Sequence, residues 1–291
     1  MHGVGHSTGA ITMLNALFTG TGSAAGIDLK VRAEVDLTPV PSKREASMQF
    51  SSSSDSRLAR AAVQEAVRFF APRDSFQVSV SIKSEIPAGR GLKSSSAVST
   101  AIDRAIASAV GTESPAIEVA RRSADLTQRI GQSATGAFDD ALAGLVPGIV
   151  VTDNRTRQIV RTDLLDPRWV VLLWIPSETH RPSPDLLPEF RRQAGAAGAA
   201  VENATSGRFA EAMAENTALV EQILGYEYRA LRAALLAGGA IACGVSGMGP
   251  SLAAIASRAT ALDLARQLPA TGGEHRIVAF VQPPSLEAAP A

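Results

Sequence analysis

A glycine- and serine-rich turn contains the first residues whose types and spacing suit chemistry. It spans Pro87–Ala97 and reads PAGRGLKSSSA. Glycines let a backbone approach a ligand closely, and the free amides at the start of a helix attract an anion. Serine hydroxyls can bind Mg²⁺, and Lys93 adds positive charge. An ordinary strand-to-helix turn capped by a serine has the same composition, so spacing alone leaves both interpretations open.

The familiar phosphate-loop patterns do not match this turn. The pattern G-x-x-x-x-G-K-[ST] is absent from the chain, and the last glycine of G-x-G-x-x-G would fall on Ser94. The turn instead resembles the phosphate loop of the GHMP kinases, whose usual form is P-x-G-x-G-L-G-S-S-A. Lys93 replaces the third glycine. This departure, together with the extra serine, resembles the G-L-K-S-S-S-A form of archaeal-type shikimate kinases.

The resemblance implies that the turn binds the phosphates of ATP. The implied contacts are Pro87, Gly89, Arg90, Gly91, Leu92, Lys93, Ser94, Ser95 and Ser96.

Two aspartates end a second glycine-bearing segment, Gly131–Asp140, which reads GQSATGAFDD. Phosphoryl transfer needs a group that orients the attacking hydroxyl and accepts its proton, and a carboxylate can do both. The residues alone favour a different role, in which Asp139 caps a short helix that begins at Asp140. The segment resembles the catalytic segment of the family, which implies Asp139 as the base and Asp140 as the alternative. We assign Thr135 and Gly136 of this segment to the substrate.

A third glycine turn, Cys243–Ser251, reads CGVSGMGPS and resembles the family motif that supports the phosphate loop from the second domain. The resemblance implies that Gly247 and Gly249 lie at the nucleotide and that Ser246 contacts substrate. By their residues alone the two glycines belong to a hairpin. Cys243 is the single cysteine, and we expect it to be a buried apolar side chain rather than a nucleophile.

Substrate and metal contacts are less clearly marked. The segment Gly20–Lys30 resembles the archaeal-type branch, which suggests that Asp28 binds substrate hydroxyls, although the lysine that the family often carries near the N-terminus is absent. An arginine is expected to hold a substrate carboxylate, but the sequence does not identify it. For Mg²⁺ we expect Ser95 and Asp125 as ligands, and a solvated helix face is the other explanation for Asp125.

Helices and strands alternate around these motifs. Period-2 patterns predict strands at 27–37 and 76–82, an apolar run predicts a strand at 169–175, and we expect further strands at 240–245, 252–256 and 276–281. Helical spacing predicts helices at 57–70, 98–109, 114–130, 206–224 and 226–237, with the serine run 51–55 as a capped loop before the first of them. A change in composition near residue 165 predicts two domains, 1–163 and 164–291.

Composition narrows the classes of function. The chain has 291 residues, and 28 basic residues balance 28 acidic ones, so no basic field draws nucleic acid or anionic membranes. The first ten residues lack a basic start followed by an apolar core, so we expect no secretory signal, and no apolar run reaches about 20 residues. One cysteine excludes an intrachain disulfide. We expect a cytoplasmic protein without nucleic-acid or membrane partners.

The resemblance implies a two-domain α+β fold, with an N-terminal domain like domain 2 of ribosomal protein S5 and a ferredoxin-like C-terminal domain. ATP would bind between them, with Mg²⁺, in a monomer or homodimer. The implied reaction is ATP-dependent phosphorylation of the 3-hydroxyl of shikimate. The alternatives are a GHMP kinase for homoserine, pantoate or a mevalonate-type substrate, and a catalytically silent relative that binds ATP.

Overall fold

The computed structural model describes residues 1–41, 47–51, 56–178 and 186–282. A six-stranded sheet organises the first half. Its strands are β1 (His2–Leu14), β2 (Thr21–Pro39), β3 (Met48–Phe50), β4 (Phe76–Ser84), β5 (Ile149–Asp153) and β6 (Gln158–Asp163). The strand order is β3-β4-β2-β5-β6, and β1 pairs antiparallel with the long β2.

Four helices belong to this half: α1 (Arg57–Phe70), α2 (Ser94–Ala109), α3 (Ala116–Arg129) and α4 (Phe138–Ala143). Helix α2 buries an apolar stripe that includes Ile102 and Ile106. It approaches β1 so closely that a Cβ at Gly5 would lie 2.0 Å from the carbonyl oxygen of Ala101. Glycine in β1 therefore lets the middle of α2 lie directly on the backbone of the sheet.

An antiparallel four-stranded sheet organises the second half, in the order β10-β7-β9-β8. Its strands are β7 (Trp169–Pro176), β8 (Ala242–Val245), β9 (Leu252–Ser257) and β10 (Gly273–Ala279). The helices are α5 (Leu187–Arg192), α6 (Gly198–Thr205), α7 (Phe209–Leu224), α8 (Arg229–Ala237) and α9 (Arg258–Ala265). A separate apolar core, with Leu172 and Phe190 at its centre, fills this half.

The predicted α+β fold is confirmed. The strands and helices predicted from the sequence are present with shifted ends, whereas β1, β3, β5 and β6 were not predicted. Ser56 caps α1 by accepting a hydrogen bond from the amide of Ala59 at 3.1 Å. Residues 52–55 of the serine run lie outside the described residues. Among the helices that the structure describes, none combines the length and the apolar character needed to cross a membrane.

Candidate active site

The glycine- and serine-rich turn connects β4 to α2 in a strained backbone shape. Gly89 and Gly91 have left-handed φ angles of 70° and 77°, and Lys93 has a φ of 67°. Lys93 occupies the cap position of α2, where no side chain forms a capping hydrogen bond. The alternative of a serine-capped turn is therefore wrong, because the serines lie inside the first turn of the helix.

The start of α2 keeps its backbone donors available. Across the described ranges, no protein group accepts a hydrogen bond from the amides of Ser94, Ser95 or Ser96. Amides at a helix N-terminus have no partner within the helix, and they point along its axis with a favourable dipole for an anion. Gln132 Nε2 lies 3.5 Å from Ser95 Oγ, so the second glycine-bearing segment borders the same helix end.

The third glycine turn, between β8 and β9, packs directly on the glycine- and serine-rich turn. A Cβ at Gly91 would lie 2.1 Å from the carbonyl oxygen of Ser246, so only glycine fits there. Ser246 Oγ donates to the carbonyl of Gly91 at 2.8 Å, and the amide of Gly247 donates to Thr12 Oγ1 at 2.9 Å. The second half of the protein thus fixes the shape of the turn.

These contacts change the role that we assigned to Ser246. Its side chain is completely buried, and its hydroxyl donates to Gly91 and accepts from the Thr12 amide at 3.3 Å, so it supports the turn instead of facing a substrate. Gly247 lies beside the lysine of the turn, since a Cβ there would be 3.0 Å from Lys93 Nζ. Gly249 instead faces Tyr226, whose ring would be 2.7 Å from a Cβ at that position.

The two aspartates lie at the start of α4. The cap position of this helix is Ala137, which has a left-handed φ of 53° and no capping side chain. Asp139 is therefore inside the helix, and the alternative that it caps a helix beginning at Asp140 is wrong. Its side chain is almost fully buried, with 3% exposed.

Asn154, in the turn between β5 and β6, holds the carboxylate of Asp139. Its Nδ2 donates to Asp139 Oδ1 at 2.7 Å, and its Oδ1 accepts from the Asp139 amide at 3.2 Å. The hydroxyl of Thr152 donates to the same Asn154 oxygen at 2.7 Å. On the other side, a Cβ at Gly22 would lie 2.4 Å from Asp139 Oδ2. The carboxylate is thus oriented by one amide and accommodated by one glycine.

An ion pair joins the glycine- and serine-rich turn to α4. Lys93 Nζ lies 3.0 Å from Asp140 Oδ1, and the two side chains are only 11% and 15% exposed. Burial, and next the charge of Asp140, raise the pKa of Asp139 from 3.8 to about 7, although Lys93 and the Asn154 hydrogen bond oppose the rise. A general base works best with a pKa near the working pH, so Asp139 is suited to accept a proton from a hydroxyl.

Of the other residues predicted for the site, some lie beside Asp139 and others contact Arg157 instead. The Thr135 hydroxyl lies 3.4 Å from Asn154 Nδ2, close to the buried carboxylate. Gly136 packs instead on Arg157, whose guanidinium would be 2.5 Å from a Cβ at position 136. Asp125 pairs with Arg157 at 3.2 Å on an exposed face, and no described contact brings it to Ser95.

Asp28 is not brought to this site. It is exposed and lies 3.4 Å from Lys30 Nζ. It is six residues beyond Gly22 along β2, a distance of roughly 20 Å at the rise of an extended strand. Its neighbour Ile27 bridges to Phe280 of the second half. The side chain therefore faces solvent far from the Asp139 carboxylate.

Three contributors to the site were not identified from the sequence: Thr12, Gly22 and Asn154. Asn154 follows an aspartate between two strands, which is typical of a turn and carries no catalytic signal. Thr12 and Gly22 belong to strands whose pairing decides what they contact. Their roles follow from the tertiary fold and from no local motif.

Comparison with known proteins agrees with this arrangement. Residues 57–148 match the family described as GHMP kinases N terminal domain, and residues 193–274 match GHMP kinases C terminal. The chain is 34% identical over 255 residues to a protein named shikimate kinase from Pyrococcus furiosus, covering 88% of this chain and 92% of that protein. It is 33% identical over 277 residues to a shikimate kinase from Methanosarcina mazei, covering 93% and 90%.

The fold also has solved relatives. The mevalonate kinase of Methanococcus jannaschii superposes with a TM-score of 0.72 over 97% of this chain and 99% of that one, at 12% sequence identity. At that identity the likeness concerns the fold alone.

Proposed function

Because this chain belongs to the GHMP kinase family, we propose that it transfers the γ-phosphoryl group of ATP to the 3-hydroxyl of shikimate. The observation that carries the proposal is the similarity, over nearly the whole chain, to archaeal proteins named shikimate kinase. Fold and site support a kinase of this type, since a helix N-terminus with available amides lies next to a buried aspartate.

In the proposed reaction, the amides of Ser94–Ser96 bind the phosphates of ATP. Asp139 orients the shikimate hydroxyl and accepts its proton while the hydroxyl oxygen forms a bond to the γ-phosphorus. The bond from that phosphorus to the bridging oxygen of ADP breaks, and ADP leaves with the electron pair. Lys93 lies between the turn and α4, where its charge stabilises the phosphate oxygens. Most of the acceleration would come from positioning and charge neutralisation.

Of the two residues predicted to bind Mg²⁺, only Ser95 is suitable. Mg²⁺ takes few protein oxygens when phosphates supply the others, and the half-buried Ser95 hydroxyl at the start of α2 is suitable for this role. Asp125 does not fit, because it is paired with Arg157. The described ranges contain no cluster of three or more histidine, cysteine or acidic side chains that could hold a metal. When bound, Mg²⁺ would neutralise phosphate charge.

An assay of ADP release tests the function against its alternatives. The protein would be incubated with ATP, Mg²⁺ and, separately, shikimate, homoserine, pantoate or mevalonate. We expect turnover with shikimate, and coupling between ³¹P and the proton at C3 should identify the product as the 3-phosphate. Preferential turnover of another acid would assign the chain to that substrate. ATP binding without turnover of any substrate would identify a catalytically silent relative.

Three further sequence-based expectations belong to this proposal. We retain the division into domains 1–163 and 164–291, a cytoplasmic location, and a monomer or homodimer as the assembly. Limited proteolysis, cell fractionation and light scattering, respectively, would test them.

A further inference from the structure

We propose that Arg155 binds the carboxylate of the acid substrate and so determines its specificity. The inference rests on the proposed function, which supplies a substrate that carries both a carboxylate and a hydroxyl. It concerns a residue outside the three glycine turns.

Arg155 is placed beside the catalytic carboxylate by the β5–β6 turn. It directly follows Asn154, whose side chain donates to Asp139. The backbone of this turn is fixed to the start of β2, since the amide of Asn154 donates to the carbonyl of Gly20 at 2.8 Å. The arginine side chain then crosses Gly20, where a Cβ would lie 2.8 Å from Arg155 Nε. The missing side chain at position 20 provides the space for the arginine.

Two glycines limit the distance between Arg155 and Asp139. Gly20 contacts Arg155, and Gly22 contacts Asp139. Their α-carbons are two residues apart and hence at most about 7 Å from each other. With the Cα–Cβ bonds and these two contacts added, Arg155 Nε and Asp139 Oδ2 lie at most about 15 Å apart.

A small hydroxy acid fits between these two groups. With two hydrogen bonds of about 2.8 Å each, a substrate whose carboxylate and hydroxyl are roughly 5 Å apart spans about 10 Å, which is within that limit. A carboxylate and a hydroxyl on next-but-one carbons of a six-membered ring have a separation of this size. The geometry therefore has room for a cyclic 3-hydroxy acid with its carboxylate at Arg155 and its hydroxyl at Asp139.

The guanidinium of Arg155 also has N–H donors that are accessible to a ligand. Its side chain is 73% exposed, and its ionic neighbour Asp153 is 3.7 Å away. Asp153 already accepts hydrogen bonds from the backbone amides of the same turn, at 2.8 and 3.4 Å. By contrast, Lys93 pairs with Asp140 and Arg157 donates to the carbonyl of Thr135 at 2.9 Å. A guanidinium with free donors can hold a carboxylate in a bidentate contact.

Substitution of Arg155 tests the inference through the Michaelis constants. Arg155→Ala should raise the KM for shikimate roughly 10- to 100-fold, the range expected for a lost hydrogen bond to a charged group. The KM for ATP should stay within about twofold, because the phosphate-binding turn is untouched. Arg155→Lys should recover part of the loss. The matched control is Arg168→Ala, since Arg168 is 84% exposed and pairs with Asp166 at the start of β7.

Shikimate methyl ester separates carboxylate binding from other effects. The unaltered protein should use the ester less well than the acid, by about the factor that Arg155→Ala costs with the acid. The Arg155→Ala protein should use acid and ester equally. An unchanged KM for shikimate, a rise in the KM for ATP alone, or retained discrimination between acid and ester would each overturn the inference and leave the function standing. No turnover of shikimate by the unaltered protein would overturn both.

Discussion

Replacing Asp139 by asparagine should stabilise the protein while it removes the activity. The pKa of this buried carboxyl is about 7 in the folded chain, against 3.8 as its ordinary value. Between about pH 4 and pH 7 the folded chain keeps a proton that the unfolded chain has released, so stability falls as the pH rises through this window. Above pH 7 Asp139 is ionised in both states, so burial of its charge lowers the free energy of unfolding by the full amount of this effect.

The magnitude follows from the size of that shift. About three pKa units, at roughly 1.4 kcal/mol each, correspond to about 4 kcal/mol at pH 8. At pH 5, where Asp139 is mostly protonated in the folded chain, the same linkage leaves about 2 kcal/mol. An asparagine carries no charge and can still accept the hydrogen bond from Asn154. Asp139→Asn should therefore raise the free energy of unfolding by up to about 4 kcal/mol at pH 8 and by about half as much at pH 5.

Urea unfolding at the two pH values measures the stability, and the ADP-release assay measures the turnover. General base catalysis is worth about 10²- to 10⁴-fold, so turnover should fall by that factor, with ATP affinity within about twofold of the unaltered protein. Asp263→Asn is the control, since Asp263 is exposed and pairs with Arg266. If Asp139→Asn stabilised the protein less at pH 8 than at pH 5, the reasoning about buried charge would be refuted. Surviving turnover would make Asp140 the better candidate for the base.

Two further substitutions test the parts of the site that surround Asp139. Lys93→Met removes the positive charge that lowers the pKa of Asp139, so the acidic limb of the pH profile of kcat should move up by about one unit. The exposed Lys83→Met is its control, and an unmoved limb would contradict the role of the Lys93–Asp140 pair. Gly22→Ala would place a Cβ 2.4 Å from Asp139 Oδ2, which should cost about 1–3 kcal/mol of stability and at least tenfold in kcat. Gly195→Ala, where a Cβ meets nothing within 4 Å, should leave both unchanged.

The local parts of the fold and site were readable from sequence. The turn at 87–97 was identified by its resemblance to a family motif, and the helices before and after it, α1 and α2, follow apolar periodicity that burial reproduces. Lys93 indicated the archaeal-type branch, although nothing in its local pattern indicated that its partner would be Asp140. Pairing between a turn and a helix more than forty residues later is a property of tertiary packing.

The strands that the sequence analysis missed explain most of what it could not predict. Strand β1 contains glycines such as Gly3 and Gly5, which usually weaken a strand. In this protein they are required because α2 lies against the backbone of β1. Strand β5 is short and ends in the turn that supplies Asn154 and Arg155. Without these strands, no sequence argument could place Asn154 beside Asp139.

Two residue roles were misassigned for opposite physical reasons. Asp28 has the chemistry of a substrate ligand but lies far along β2 from the reacting groups. Ser246 lies at the site, but its hydroxyl is already satisfied by the carbonyl of Gly91. Motif resemblance can indicate which region of the chain forms the site. The orientation of each side chain and its hydrogen-bond partners depend on the three-dimensional structure.

The contact between Ser246 and Gly91 has a consequence for the order in which the protein folds during its synthesis. It joins residues 155 positions apart, and the neighbouring contact of Gly247 with Thr12 joins residues 235 positions apart. Contacts this distant in sequence form late, since a long loop must close first. A nascent chain that has emerged only through β6 contains all of residues 87–97 but not the third glycine turn that packs on them. We therefore expect the turn at 87–97 to reach its final shape only near the end of translation, when β8 and β9 have been made.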